Sequence, residues 1–86
     1  MYVFGGKDND DEKLNDLWRF DLETEVWEEI IAAPGSQKPI GRYGHSSATY
    51  NGHLIVFGGI HEITKELNDL YIFNFQTNQW RRLFKS

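Results

Sequence analysis

The hydrophobic positions of this chain fall into short runs, and turn-forming residues separate them. Arg42 to Tyr50 predicts a strand, with small and hydroxyl residues at Ser46, Ser47, Ala48 and Thr49. Asn51-Gly52 follows, a two-residue signature of a tight hairpin in which both residues take positive φ. His53 to Gly59 predicts a second strand, whose Leu-Ile-Val-Phe run suits burial on both faces. Leu67 to Phe75 predicts a third, Gln76-Thr77-Asn78 a turn, and Gln79 to Phe84 a fourth. No segment keeps a helical period, so the chain reads as all-β.

The same pattern occurs twice. Residues 1–33 lie on residues 54–86 without a gap, at a period of 53, with 11 identities in 33 positions. About two would arise by chance from composition, and a period near 50 with strand-like segments marks an array of repeated sheet units. The shared positions are Val3/Val56, Phe4/Phe57, Gly5/Gly58, Gly6/Gly59, Leu14/Leu67, Asn15/Asn68, Asp16/Asp69, Leu17/Leu70, Phe20/Phe73, Thr24/Thr77 and Trp27/Trp80. With the strands of a unit lettered a to d, the chain reads b, c, d of one unit, then a, b, c, d of the next. A four-stranded sheet of this size cannot bury both faces alone and needs a neighbour stacked on each.

Composition narrows the class. The chain has 86 residues, room for one small domain, and is 40% hydrophobic and 15% aromatic, too apolar for a disordered segment. A net charge of −4 gives no basic face for nucleic acid. Without cysteine there is no disulfide, thiolate metal site or cysteine nucleophile, and a reducing compartment, the cytoplasm by default, fits. No apolar run is longer than that of Leu54 to Phe57, far short of the roughly 20 residues of a membrane helix. The N-terminal residues do not read as a signal peptide. Charge is divided unevenly. Residues 1–33 hold ten acids and three bases, and residues 34–86 three acids and six bases.

A double glycine after an apolar strand, then an aromatic, six residues and a tryptophan, resembles the Kelch motif. Gly5-Gly6 leads to Phe20 and Trp27, and Gly58-Gly59 leads to Phe73 and Trp80. Gly41 to Ser46 resembles that motif's entry to strand a. The usual tyrosine is phenylalanine in both copies, which keeps the ring and loses only a hydroxyl. The resemblance implies a Kelch β-propeller, each four-stranded antiparallel unit being one blade. Residues 1–33 would then be a blade lacking strand a, residues 34–41 an inter-blade loop, and residues 42–86 a complete blade. About one and three-quarter blades make an incomplete propeller that needs further Kelch blades. Three copies closing a six-bladed ring, short of three strands, is the alternative.

The repeat also sorts residues by role. Those found in both copies serve what both blades share: Phe20, Trp27, Phe73 and Trp80 as blade-to-blade core, Gly5, Gly6, Gly58 and Gly59 as backbone necessities, and the Asn-Asp pairs as partners of local backbone. Residues that differ cluster in connections. The b–c loops Lys7 to Lys13 and Ile60 to Glu66, and the d–a loop of about Ala32 to Gly41, emerge on one face, while the a–b and c–d turns on the other are tight. Lys38, Arg42, Tyr43 and His61 are the partner-binding candidates on the loop-rich face. Arg42 opens strand a, where its guanidinium would either clamp a carboxylate of a partner or pair with an acidic or carbonyl group of the next blade. On the first reading, Arg42→Ala weakens binding without unfolding the propeller. Tyr43 would either anchor a partner or cover the blade edge.

Catalytic and metal readings find little support. His53 and His61, at opposite ends of one strand, stand about 25 Å apart at about 3.3 Å per residue. His45 and Ser46, neighbours on a strand, point to opposite faces. The acidic loop Asp8-Asn9-Asp10-Asp11-Glu12 lacks the glycine and bidentate glutamate of a calcium loop. No catalytic, cofactor or metal residue is assigned. The expected function is a non-catalytic protein-protein interaction module that binds a protein or peptide on its loop-rich face, with no nucleic acid or membrane partner. An actin-binding or other cytoskeletal scaffold is the second reading. A metal-dependent Kelch-like enzyme, for which His61-Glu62 is the only support, is the third.

Overall fold

The computed structural model describes residues 1–10, 12–62 and 65–84. The chain is all-β and forms two antiparallel sheets. The first has three strands in chain order: β1 (Tyr2–Phe4), β2 (Leu17–Asp21) and β3 (Val26–Ile30). The second has four, also in chain order: β4 (Ser46–Tyr50), β5 (His53–Glu62), β6 (Lys65–Asn74) and β7 (Gln79–Phe84). This is the expected meander, and the last strand has the predicted bounds.

Turn chemistry explains the hairpins. Asn51 and Gly52 adopt φ of 50° and 74°, so the two-residue loop twists with its strands and fixes the pairing of Tyr50 with His53. The other tight turns share one device across the repeat. Asp21 Oδ1 accepts the amides of Glu23 and Thr24, and Asn74 Oδ1 accepts those of Gln76 and Thr77. Glu25 and Asn78 then take positive φ to close them.

Two boundaries differ from the sequence reading. Strand a is shorter than expected, beginning at Ser46 rather than Arg42. Gly44, at φ 68°, breaks the extended run, and only Tyr43 keeps a bridge, to Ile60. Strands b and c are longer. Gly58 and Gly59, both at positive φ, create a shift in register rather than a strand end, and pairing runs on to Glu62 opposite Lys65. The expected loop Ile60 to Glu66 is therefore mostly ladder, with residues 63 and 64 outside the described set.

The sheets stack face to face. Cross-strand partners share a face, so Phe4, Leu17 and Ile30 line one side of the first sheet, and Leu54, Val56, Tyr71, Phe73 and Trp80 one side of the second. The sides meet in one core. Phe4 packs against Trp80 at 5.0 Å between ring centroids, and Tyr2 stacks on Phe75 at 4.3 Å. Backbone bonds join the sheets at both ends: Gly6 N–H donates to the Arg42 carbonyl (2.7 Å) and Ala33 N–H to that of Asn78 (2.6 Å).

Equivalent residues consequently have unequal surroundings. Trp80 is 3% exposed, whereas Trp27 is 49% exposed and packs only on its own sheet, against Phe20 at 4.8 Å. Phe73 is fully buried and Phe20 only partly. Phe73 and Trp80 lie in the core between the sheets, because the first sheet covers that face, whereas the face that carries Phe20 and Trp27 is uncovered among the described residues. Trp80→Ala should cost about 3–5 kcal/mol and Trp27→Ala less than half of that, read from urea unfolding midpoints at constant slope.

Candidate functional site

The connection between β3 and β4 decides how the loop face is built. After Pro39 the chain passes between the sheets, and its backbone is held from both. Arg42 N–H donates to the Leu14 carbonyl at 3.1 Å, while Tyr43 and Ile60 exchange a pair of bonds at 3.0 and 2.8 Å. Asn15 Nδ2 donates to the Pro39 carbonyl at 3.0 Å. A Cβ on Gly41 would run into the Lys13 carbonyl, so this approach requires glycine.

Arg42 is fully buried. Its Nη1 donates to Asp69 Oδ1 (2.6 Å) and to the Gly58 carbonyl (2.9 Å), its Nη2 to Asp69 Oδ2 (3.2 Å), and its Nε to the Ile40 carbonyl (3.2 Å). The guanidinium also stands 5.5 Å from the centre of the Tyr71 ring. The placement of Arg42 on the loop surface is corrected. The carboxylate it clamps bidentately is in its own sheet, neither in a partner nor in the next blade. The roles expected of the Asn-Asp pairs also change. Asn15 reaches a carbonyl 24 residues away, Asp69 holds Arg42, and Asp16 accepts from Trp18 Nε1 at 2.7 Å.

Tyr43 bridges Ile60 of β5, and the next residue, His61, reaches back to Gly41. His61 Nδ1 lies 2.7 Å from the Gly41 carbonyl, which makes Nδ1 the protonated donor. Its Nε2 is 3.9 Å from Glu62 Oε1. The Tyr43 ring, half-buried, has Lys7 Nζ at 4.8 Å and Lys13 Nζ at 5.7 Å from its centre, both from the first sheet. Sequence reasoning passed over these two lysines, although both flank the b–c loop that it placed on this face. Lys38 is exposed and lies apart, in a cleft with Asp16, Glu29 and the residues after β3.

The acidic loop is closed by Asp8, whose Oδ1 accepts the amides of Asp10 and Glu12; Asp11 lies outside the described residues. Among the described residues, no group of three or more His, Asp or Glu is placed to hold a metal ion, and no helix is long and apolar enough to cross a membrane. Glu28 pairs with Arg19 in its own sheet at 2.7 Å, not with the arginines at the equivalent positions of β7.

Comparison with known proteins agrees with this architecture. Residues 1–85 match the family model described as the KLHDC2/KLHL20/DRC7 Kelch-repeats domain. The chain belongs to the Kelch-repeat family. It is 38% identical over 84 residues to the Rho GTPase-activating protein gacHH of Dictyostelium discoideum, covering 95% of this chain and 5% of that protein. It is 40% identical over 88 residues to protein ral2 of Schizosaccharomyces pombe, covering 95% and 14%. With human Kelch domain-containing protein 3 it shares 34% over 92 residues, covering 96% and 24%. The chain thus spans a quarter or less of the length of these relatives. Kelch repeats generally serve as interaction modules.

Two outcomes follow from the buried groups. Arg42→Ala should destabilise by about 3–5 kcal/mol, because it leaves the Asp69 carboxylate without its partner. Adding Asp69→Asn should recover part of the loss in a double-mutant cycle of chemical denaturation. His45 packs edge-on against Phe4 at 5.5 Å, and its Nδ1 is shielded, with no hydrogen-bond partner among the described residues. Burial, with the nearby Arg42 charge, holds its pKa below the ordinary 6.5. The unfolded chain therefore binds the proton more readily than the folded one. The stability from neutral His45 is complete above pH 6.5 and is lost as pH falls from there through the depressed folded pKa. His45→Gln should flatten the pH dependence of the unfolding free energy below about pH 7.

Proposed function

We propose that these residues form part of a Kelch propeller that recognises a protein or peptide segment on its loop-rich face, with no catalytic role. Tyr43 carries this reading. Its backbone is bonded to Ile60, the neighbouring Arg42 amide is bonded to Leu14 of the first sheet, and its ring meets two lysine ammonium groups from that sheet. An aromatic held rigidly at the junction of two sheets, beside His61, suits the anchoring of a partner side chain at low entropic cost. The exposed Lys38 is a peripheral contact. Arg42 supports this face from beneath by fixing the segment that carries Tyr43.

The working unit is a larger set of Kelch blades, consistent with relatives several times longer than this chain. A net charge of −4 favours a protein partner over nucleic acid, and the lack of cysteine suits the cytoplasm.

A photo-crosslinking amino acid in the complete protein tests the face directly. Placed at Tyr43 or His61, it should capture a bound partner. Placed at Glu23, in the exposed turn between β2 and β3, it should not. Capture at Glu23 with none at Tyr43 or His61 would reject the loop-rich face.

A further inference from the structure

One imidazole sits where the connection between the sheets docks on the first of them. His45 follows Tyr43 and Gly44 and immediately precedes β4. Its half-buried ring packs edge-on against Phe4 of β1 at 5.5 Å. The fit is close on both sides. A Cβ on Gly5 would lie 3.1 Å from His45 Cε1, and one on Gly59 would lie 2.9 Å from His45 Cβ. The ring's Nδ1 is shielded from solvent and has no hydrogen-bond partner among the described residues. The residues that β1 and β5 bring against it, Phe4, Gly5 and Gly59, carry no charge. The connection brings Arg42, whose guanidinium is paired with Asp69 of β6. Two backbone bonds beside the ring tie the same segment to the first sheet. Gly6 N–H donates to the Arg42 carbonyl at 2.7 Å, and Arg42 N–H to the Leu14 carbonyl at 3.1 Å.

We propose that His45 is an acid-operated latch, which when neutral closes residues 41–45 onto the first sheet and when protonated releases them from it. A second ring proton creates an N–H donor at Nδ1 that no acceptor meets, and it places a positive charge near a guanidinium. Relief lies outward, in water. Gly44 provides the turning point, being exposed, at φ 68°, with open space where a Cβ would stand. Swinging the ring out removes the contact with Phe4 and loosens the two bonds to Gly6 and Leu14. The side chain of Arg42 remains anchored in the second sheet through Asp69 and the Gly58 carbonyl, so the event is a local opening and the sheets stay folded. Tyr43 lies between the latch and those bonds, and it leaves the two lysines when the segment lifts. Acid thereby withdraws the proposed anchor for a partner. That consequence rests on Tyr43 being the anchor, whereas the latch does not.

Amide hydrogen exchange of the complete protein, corrected for the intrinsic pH dependence of exchange, tests the latch. As pH falls below 6.5, protection at the Gly6 and Arg42 amides should drop, by at most about tenfold per pH unit for a single proton, while the amides of β6 keep theirs. In His45→Gln the same two amides should hold their protection over that range. Constant protection in the unsubstituted protein, an equal drop in His45→Gln, or a parallel drop throughout β6 would each overturn the proposal. A second measurement needs no substitution. The drop should level off below the ring's own midpoint, read by NMR, and a drop that continues far below it would assign the effect to carboxylates and reject the latch. The link to binding is read separately, as partner capture by the crosslinker at His61 across the same pH range. Exchange that responds beside capture that does not would reject Tyr43 as the anchor and leave the latch standing.

Discussion

The structure depends on the packing of one sheet on the other, and that contact is built from a small number of rings. Phe4 enters the second sheet beside Trp80, which also packs on Phe73 at 5.0 Å, and Tyr2 closes the outer end against Phe75. Neither sheet would be stable alone. The first has three strands, two of them five residues long and one of three, and among the described residues it has no second core of its own. Burial of these aromatics is the main source of stability, and edge-on and tilted ring contacts restrict how the sheets can rotate against one another. The hydrogen bonds that cross between the sheets lock a geometry that packing has selected.

Within that frame, the Arg42–Asp69 pair sets the path of the chain from one sheet to the next. Removing a guanidinium and a carboxylate from water is unfavourable. Such a pair persists only when further bonds satisfy the remaining donors, as the carbonyls of Gly58 and Ile40 do here. Its consequence is positional. With the side chain of Arg42 drawn inward and its amide held by Leu14, the backbone can place Tyr43 only at the junction of the sheets. A loop of ordinary polar residues would leave that position mobile. The candidate site is therefore a surface feature fixed by a buried one.

Much of the fold was legible in the sequence because its signals are local. Asn51-Gly52 needs only its own backbone to specify a hairpin, and β7 follows the turn Gln76-Thr77-Asn78 and ends on the apolar Leu83 and Phe84. What was not legible depended on distant partners. The sequence does not show whether the residues ahead of a strand turn inward, so Arg42 read as a surface clamp. Its partner Asp69 was visible as a repeated residue, but repetition alone suggested a local role. Asn15 was misread for the same reason, since its acceptor lies in the connection between the sheets. Gly58-Gly59 read as a strand end, although positive φ within a ladder produces a bulge just as well.

Repetition at the level of whole faces accounts for the unequal burial of identical residues. The face of the second sheet that holds Val56, Tyr71, Phe73 and Trp80 is covered by the first sheet's Phe4, Leu17 and Ile30. The far face of the first sheet carries the equivalents of the former, namely Val3, Trp18, Phe20 and Trp27. The far face of the second carries the equivalents of the latter, including Phe57, which is 46% exposed where Phe4 is 4%. Each uncovered face thus has the chemistry of one half of the contact already made. The stacking of the two sheets has a direction, since one kind of face meets the other kind. A heterologous contact of that sort is not self-limiting, and it ends only when a ring closes. The 53-residue period that defines the strands is, at this level, the rule by which the sheets assemble.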